Sequence, residues 1–243
     1  MVSPAELDRL AHDYYLSDGI ADHHIENELQ RASAPRILAQ LPPRGRVLEM
    51  GHGDGLLTEA LVAGGFDVDL VEGSPVLCAA AERRHGMRLR VHQAMFEDFR
   101  PPAAYDSVLA LHVLEHVAAP VVALRHIASW LRPGGSLIVV VPNRCSIHRR
   151  VALRMGLISA LDDLSPRDHL VGHLRVYDMA MLEAELAAAG LIVEHRFGSF
   201  LKAVPNGMML DYPDALLAAL DAVSEALPPE ALANIGLRAR KPG

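Results

Sequence analysis

Several things are scarce in this 243-residue chain, and each shortage removes a class of protein. Its two cysteines, Cys78 and Cys145, cannot make a disulfide framework, so a packed core must hold the fold and a reducing compartment is expected. Long apolar runs are missing. Stretches such as Leu137 to Val141 fall far short of the ~18 or more residues that a membrane helix needs. The start, Met1-Val2-Ser3-Pro4-Ala5-Glu6, is acidic and lacks the apolar core of a secretory leader. Positive charge is outnumbered: 23 Lys and Arg face 30 Asp and Glu, for a formal net charge of -7. That balance disfavours duplex nucleic acid or an anionic membrane as the main partner. No internal repeat or Gly/Ser linker is visible. A cytoplasmic location is the simplest expectation, and 51% hydrophobic residues suffice for a large core in one domain spanning 1–243.

What is present is an alternation of short β-branched runs with helical patterns. Val47 to Met50 reads as a buried strand running into glycines, and a helix from Leu56 to Ala63 follows, stopped by Gly64-Gly65. Phe66 to Val71 is a second strand. Ser74 and Pro75 then supply an N-cap and a first-turn proline for the helix Val76 to His85. Leu89 to His92 and Ser107 to Leu111 are further strands, Val121 to Leu131 a helix, and Pro133-Gly134 suits the centre of a type II turn. Ser136 to Val141 is a strand apolar enough to be buried on both faces. The pattern resumes with Asp178 as the N-cap of a helix running to Ala189, a strand at Leu191 to Phe197, a helix at Asp214 to Leu227 and a strand at Ile235 to Arg240.

Strand alternating with helix implies an α/β fold with a doubly wound, mostly parallel sheet. Ligands bind such sheets at the carboxyl ends of the strands, near the topological switch point, so function is sought just after Met50, Val71 and Leu111. Two segments stand outside the alternation. Residues 1–45 form a helical N-terminal cap carrying the pair Tyr14-Tyr15, and residues 143–178 form a polar, basic insertion after the fifth strand. An insertion there would lie over the carboxyl edge as a substrate lid. Residues 46–142 are then the ligand-binding core and 179–243 the closing helices and strands.

The key local feature is Glu49-Met50-Gly51-His52-Gly53-Asp54-Gly55. Glycines let the backbone turn sharply against a ligand, and the N–H groups opening the next helix form an electropositive rim. A dinucleotide fingerprint would require a third glycine at position 56, where Leu56 stands. Glu49, two residues before the first glycine, would repel a pyrophosphate and suits a ligand with an ammonium group. Glu72 closes the second strand, where a carboxylate accepts hydrogen bonds from the two hydroxyls of a ribose.

With these residues in place, Val47 to Gly55 resembles motif I of the class I S-adenosylmethionine-dependent methyltransferases, and Glu72 resembles their motif II acid. Tyr105-Asp106-Ser107 through Leu111-His112-Val113-Leu114-Glu115-His116-Val117 resembles their fourth strand and the turn after it. Leu131-Arg132-Pro133-Gly134-Gly135 with Leu137 to Val141 resembles the last motif before the fifth strand. The likeness is detailed over 45–142, looser through Arg240, and closest to the small-molecule branch that includes ubiquinone-biosynthesis O-methyltransferases. It implies a seven-stranded Rossmann-like sheet and S-adenosyl-L-methionine as cofactor, with S-adenosyl-L-homocysteine as product. It further implies that Gly51, Gly53 and Gly55 pack against the methionine part, that Glu72 holds the ribose, and that Met95 and Phe96 flank the adenine. Many relatives carry Asp at the place of Met95, so adenine recognition would rest here on the Phe96 backbone and apolar packing. Leu111 would line the methionine side. Tyr15, with Tyr14, would either close over the cofactor or pack in the core.

Methyl transfer is an in-line displacement at a sulfonium, and the protein's share is to align the acceptor and accept its proton. Candidate bases are His173 first, with His148 and His112; His116 and His169 are also near the expected mouth. Histidine is abundant at 13 residues, and a structural or solvated role stands beside each of these. Arg149, Arg150, Arg175 and Lys202 are candidate contacts to an acceptor carrying a carboxylate or phosphate, with a solvated basic helix face as the alternative. A carboxylated metabolite, a sugar or a peptide terminus would all suit. His23-His24-Ile25-Glu26 has ligand types without zinc-like spacing, so no metal is expected. The competing classes are a nicotinamide-dependent oxidoreductase and a cofactor-binding partner protein without turnover.

Overall fold

The computed structural model describes residues 3–17 and 19–243. Seven strands form one sheet: β1 (Arg46–Met50), β2 (Asp67–Glu72), β3 (Leu89–Gln93), β4 (Tyr105–Leu111), β5 (Leu131–Pro142), β6 (Ile192–Ser199) and β7 (Asn234–Arg240). Their order is β3-β2-β1-β4-β5-β7-β6. The first five pair in parallel, and β7 runs antiparallel to both β5 and β6. The order reverses between β1 and β4, so the switch point expected to hold a ligand lies at the exits of these two strands.

Side chains one apart along a strand point to opposite faces, and the core divides accordingly. In β5, Leu137, Val139 and Val141 join one apolar layer while Ile138 and Val140 join the other. The first layer is completed by Leu124, Ile127 and Trp130 of α5 (Pro120–Trp130) and by Leu182 and Leu186 of α8 (Met179–Ala188). The second is covered by Leu61 of α3 (Leu56–Ala63), Ala81 of α4 (Pro75–His85) and Ile37 of α2 (His23–Leu38). This is why β5 reads as a continuous apolar run: both of its faces are dry.

The N-terminal cap comprises α1 (Pro4–Leu10), a π-helical turn at Ala11–Tyr15 and α2. Asp8 of α1 accepts hydrogen bonds from the Ser74 hydroxyl and, at 3.2 Å, from the Val76 N–H, so α1 is fastened to the start of α4 beside β2. A third apolar cluster, Ile25, Leu29, Phe200, Met209 and Leu217, ties α2 to the chain after β6 and to α9 (Asp214–Ser224). The 143–178 stretch is less irregular than its sequence suggests, since α6 (Ile147–Arg154) and α7 (Pro166–Leu170) form within it. A capping box explains α7: Ser165 and Asp168 exchange hydrogen bonds with each other's backbone. Gly134, at φ 75, takes the left-handed place of the turn predicted at Pro133-Gly134. No helix among the described residues is long and apolar enough to cross a membrane.

Candidate active site

A cleft of about 1390 Å³ opens at the carboxyl ends of β1, β2 and β4, and is walled by α1, the π-helical turn, α2 and the 143–178 stretch. Its floor at the β1 exit is backbone. Gly51 takes φ 81 and donates its N–H to Val71 O (2.9 Å), and Gly53 takes φ 50. Both conformations favour glycine. Gly55, at φ 71, is the N-cap residue of α3 and is absent from the cleft wall. A Cβ there would sit 2.6 Å from Cε1 of His52, so Gly55 shapes the turn from behind, a correction to its expected ligand contact.

Glu72 is buried at the end of β2, where the His52 and Ser74 N–H groups donate to its two carboxylate oxygens at 2.8 and 2.7 Å. Burial raises its pKa above the usual carboxylate value, against the pull of those N–H groups. Each oxygen keeps a lone pair for a further donor, which is what a ribose diol supplies. Glu49 is 3% exposed and lines the cleft; one of its oxygens is buried without any hydrogen-bond partner. Burial, with Glu72 adding repulsion, pushes its pKa up to about 8. A carboxyl group left unpaired in a ligand cleft fits a cationic group, and an ammonium would draw it into its ionised form. Met95, Phe96 and Leu111 also line the cleft, and the Phe96 ring reaches to 3.9 Å of a Cβ placed on Gly51. Leu7 and Met95 close over Gly73, where an added Cβ would meet them at 2.6 and 2.9 Å. The Tyr15 ring stands 3.5 Å from a Cβ on Gly53, so it covers the glycine turn from the cap. Tyr14 is the core member of the pair, with its hydroxyl hydrogen-bonded to Arg167.

The other end of the cleft is built from side chains. His112 follows β4 in a left-handed conformation, φ 54, fixed by its N–H donating to Val140 O (2.9 Å). Its Nδ1–H donates to Oε1 of the fully buried Glu115 (3.0 Å). Desolvation by the surrounding cleft opposes charge on the partly exposed His112 ring, but Glu115 outweighs it and raises the pKa. His173 lines the cleft with its Nδ1–H given to Asp168 (2.7 Å), and its Nε2 lies 3.9 Å from the same Glu115 oxygen. His148 also lines the cleft; burial, then Lys202 and Arg149, hold its pKa well below the usual value, and its Nδ1 has no partner. Glu115, His116 and His173 bring side-chain atoms within 4.8 Å of one another, a grouping that spacing along the chain could not show.

Most of the expected acceptor-binding cations have structural employment. The Arg149 guanidinium donates to the carbonyls of Leu161 (3.0 Å) and Asp163 and is buried, although it borders the cleft. Arg150 is exposed, away from the cleft, and donates to Cys145 O (2.7 Å). Arg175 donates to the carbonyls of Leu114 (3.0 Å) and Val117 and likewise stands outside the cleft wall. These two placements correct the reading of a cationic acceptor site: unpaired carbonyls at loop ends recruited the guanidinium groups. Lys202 does face the cleft, with Glu26 at 3.8 Å as its ion-pair partner. Four residues that the sequence reading gave no role complete this end: Glu26, Glu115, Arg167 and Asp168. Glu115 was discoverable, because a Glu three residues after a His at a strand exit is placed to orient it.

Residues 21–196 match a family model described as a methyltransferase domain, and the chain belongs to this methyltransferase family. A ubiquinone biosynthesis O-methyltransferase of Xanthomonas campestris pv. campestris is 36% identical over 108 residues, 42% of this chain and 45% of that protein. One from Xylella fastidiosa is 32% identical over 162 residues, 58% of this chain and 65% of that one. The matched stretch thus spans less than half the length of the first of these relatives. Among solved structures, a possible histamine N-methyltransferase from Thermotoga maritima superposes with TM-score 0.65 at 20% identity, covering 97% of this chain and 98% of that one. The Burkholderia thailandensis 1,6-didemethyltoxoflavin-N1-methyltransferase, solved with its acceptor and S-adenosylhomocysteine, gives 0.61 at 18% identity over 100% and 92%. The cyclase SpnF gives 0.60 at 21% identity over 87% and 80%. At these identities the structures show the fold, that of the class I S-adenosylmethionine-dependent methyltransferases.

Proposed function

We propose that the chain binds S-adenosylmethionine across the exits of β1 and β2 and transfers its methyl group to an oxygen or nitrogen of a small molecule held beneath the 143–178 lid. The observation that carries this is the convergence of three features in one cleft: the left-handed Gly51–Gly53 turn, Glu72 fixed by two main-chain N–H groups, and Glu49 with an unpaired oxygen. Together they match a nucleoside diol and an ammonium group. When bound, the cofactor supplies the electrophilic methyl.

The chain's own residues do the rest. Glu72 orients the ribose end, Glu49 the ammonium end, and Tyr15 with Leu7 covers the site from the cap. Leu111 and the residues after it form the wall facing the acceptor. The acceptor end contains Lys202 and Arg167 balanced by Glu26 and Asp22. That balance favours a polar acceptor without strong net charge over the anionic one expected from the arginines alone.

Two competing readings remain distinguishable. An NAD-dependent oxidoreductase is disfavoured by Leu56, which stands where a dinucleotide turn needs its third glycine. A non-methylating relative is suggested by the superposition on a cyclase. Calorimetry with S-adenosylhomocysteine, with NAD as control, followed by transfer of labelled methyl from S-adenosylmethionine to a panel of phenols and amines, decides among them. Binding of the homocysteine compound with label transfer is expected. Binding without transfer to any acceptor would favour the non-methylating reading, and NAD binding alone would overturn the assignment.

A further inference from the structure

Four observations meet at the turn after β4. Glu115 is fully buried and directs one oxygen at His112 Nδ1 (3.0 Å), while its other oxygen has no partner. A carboxylate can only accept, so Nδ1 carries the proton and His112 Nε2 is the free nitrogen. His112 stands in a left-handed conformation rarely taken by a residue with a Cβ, at the strand exit beside the glycine turn of β1. Its side chain is 41% exposed and lines the cleft, whereas that of His173 is 12% exposed with its two nitrogens facing Asp168 and Glu115.

We propose that His112 is the general base of the transfer and that Glu115 is its positioning residue, fixing the tautomer and turning Nε2 toward the acceptor. This rests on the methyltransferase reading. The acceptor's X–H bond breaks toward His112 Nε2, and its electron pair forms the X–CH3 bond. The S–CH3 pair stays on sulfur, and the imidazolium left behind is neutralised by Glu115. The strained backbone holds the ring at the strand exit instead of letting it follow the turn outward.

The groups facing His112 are Glu115 on its own turn, Glu26 from α2 and Lys202 from the chain after β6. Those facing Glu115 are His112, His116 and His173. Glu115 is thus shared between the base and an imidazole of the 143–178 stretch. His148 is the weaker base of the candidates, because burial and two cations suppress its protonation where Glu115 supports that of His112.

The test uses the full chain saturated with S-adenosylhomocysteine. Histidine ring resonances are followed by NMR from pH 5 to 9 in the native protein and in Glu115→Gln, with His112→Gln for assignment. The native His112 ring should be the Nδ1–H tautomer and titrate above its ordinary value; in Glu115→Gln the titration should move to lower pH, with ligand affinity within about two-fold. Diethylpyrocarbonate labelling read by mass spectrometry should acylate His112 at least ~10-fold faster than His173. An unmoved His112 titration in Glu115→Gln, or faster labelling of His173, overturns the proposal. Should Glu115→Gln fail to fold, His173→Gln replaces it: with the competing imidazole gone, the His112 titration should rise, and a fall overturns the proposal. Loss of ligand binding by the native chain would instead sink the methyltransferase reading itself, so the two failures are separable.

Discussion

At the β1–β2 end of the cleft the groups facing a ligand are main-chain N–H groups, glycines and two carboxylates. At the 143–178 end they are long charged side chains already paired with one another. The first end is rigid because it belongs to the sheet: Gly51 is hydrogen-bonded to β2, and Glu72 receives N–H groups from two successive turns. The second is assembled from α2, the turn after β4, α7 and the chain beyond β6. One end offers a fixed shape for one ligand. The other offers a set of contacts that a few substitutions would retune for another acceptor.

The sharpest way to break this contrast is Glu72→Ala. It removes a charged acceptor that no neighbour replaces, and S-adenosylhomocysteine affinity by calorimetry should fall about 10- to 100-fold, the effect of ~1.5–3 kcal/mol. Gly51→Val comes next. A β-branched residue at φ 81 costs about 1–2 kcal/mol, which denaturant unfolding should register together with weaker ligand binding. Arg167→Ala cuts the link from α7 to Tyr14 and Asp22 and tests the other end. The off-rate of S-adenosylhomocysteine in stopped flow should rise about 2- to 10-fold with little change in unfolding.

A pH experiment sharpens the contrast further. Glu49 has its pKa raised to about 8 against an ordinary 4.5, so in the free protein it is protonated at pH 7. Its contribution to stability is complete below about 4.5 and is lost as pH rises through about 8. An ammonium ligand favours the ionised form, so binding at pH 7 should release up to about one proton. Calorimetry in buffers of different ionisation enthalpy reads this release, and Glu49→Gln should abolish it. The smallest effect belongs to Arg150→Ala, which should leave affinity and unfolding unchanged within about two-fold, because Arg150 is exposed outside the cleft.

The same contrast explains what was legible in the sequence. The strand–helix alternation, the left-handed glycines and Glu72 depend on residues near each other in the chain and on the two-residue period of buried strands, so pattern sufficed for them. The 143–178 stretch deceived on composition. Its arginines looked like an anion site, but Arg150 and Arg175 bind carbonyls that only the folded loops leave unpaired. His173 stood out for its polar surroundings, yet its partner Asp168 orients it toward Glu115. The Tyr14–Arg167–Asp22 link joins the N-terminal cap to α7 across 145 to 153 residues, and no local pattern encodes it.

The antiparallel strand β7 has a consequence for how the molecule comes into being. It lies between β5 and β6, and β6 has no other partner in the sheet. Yet a ribosome makes β7 after both. Until it emerges, β5 presents an open edge of Leu137 to Val141, an apolar ladder with half its hydrogen bonds unmade, while β6 waits unpaired. The nascent chain therefore passes through a stage at which five parallel strands can be complete and still sticky, and the insertion of Asn234–Arg240 is what ends its exposure to aggregation.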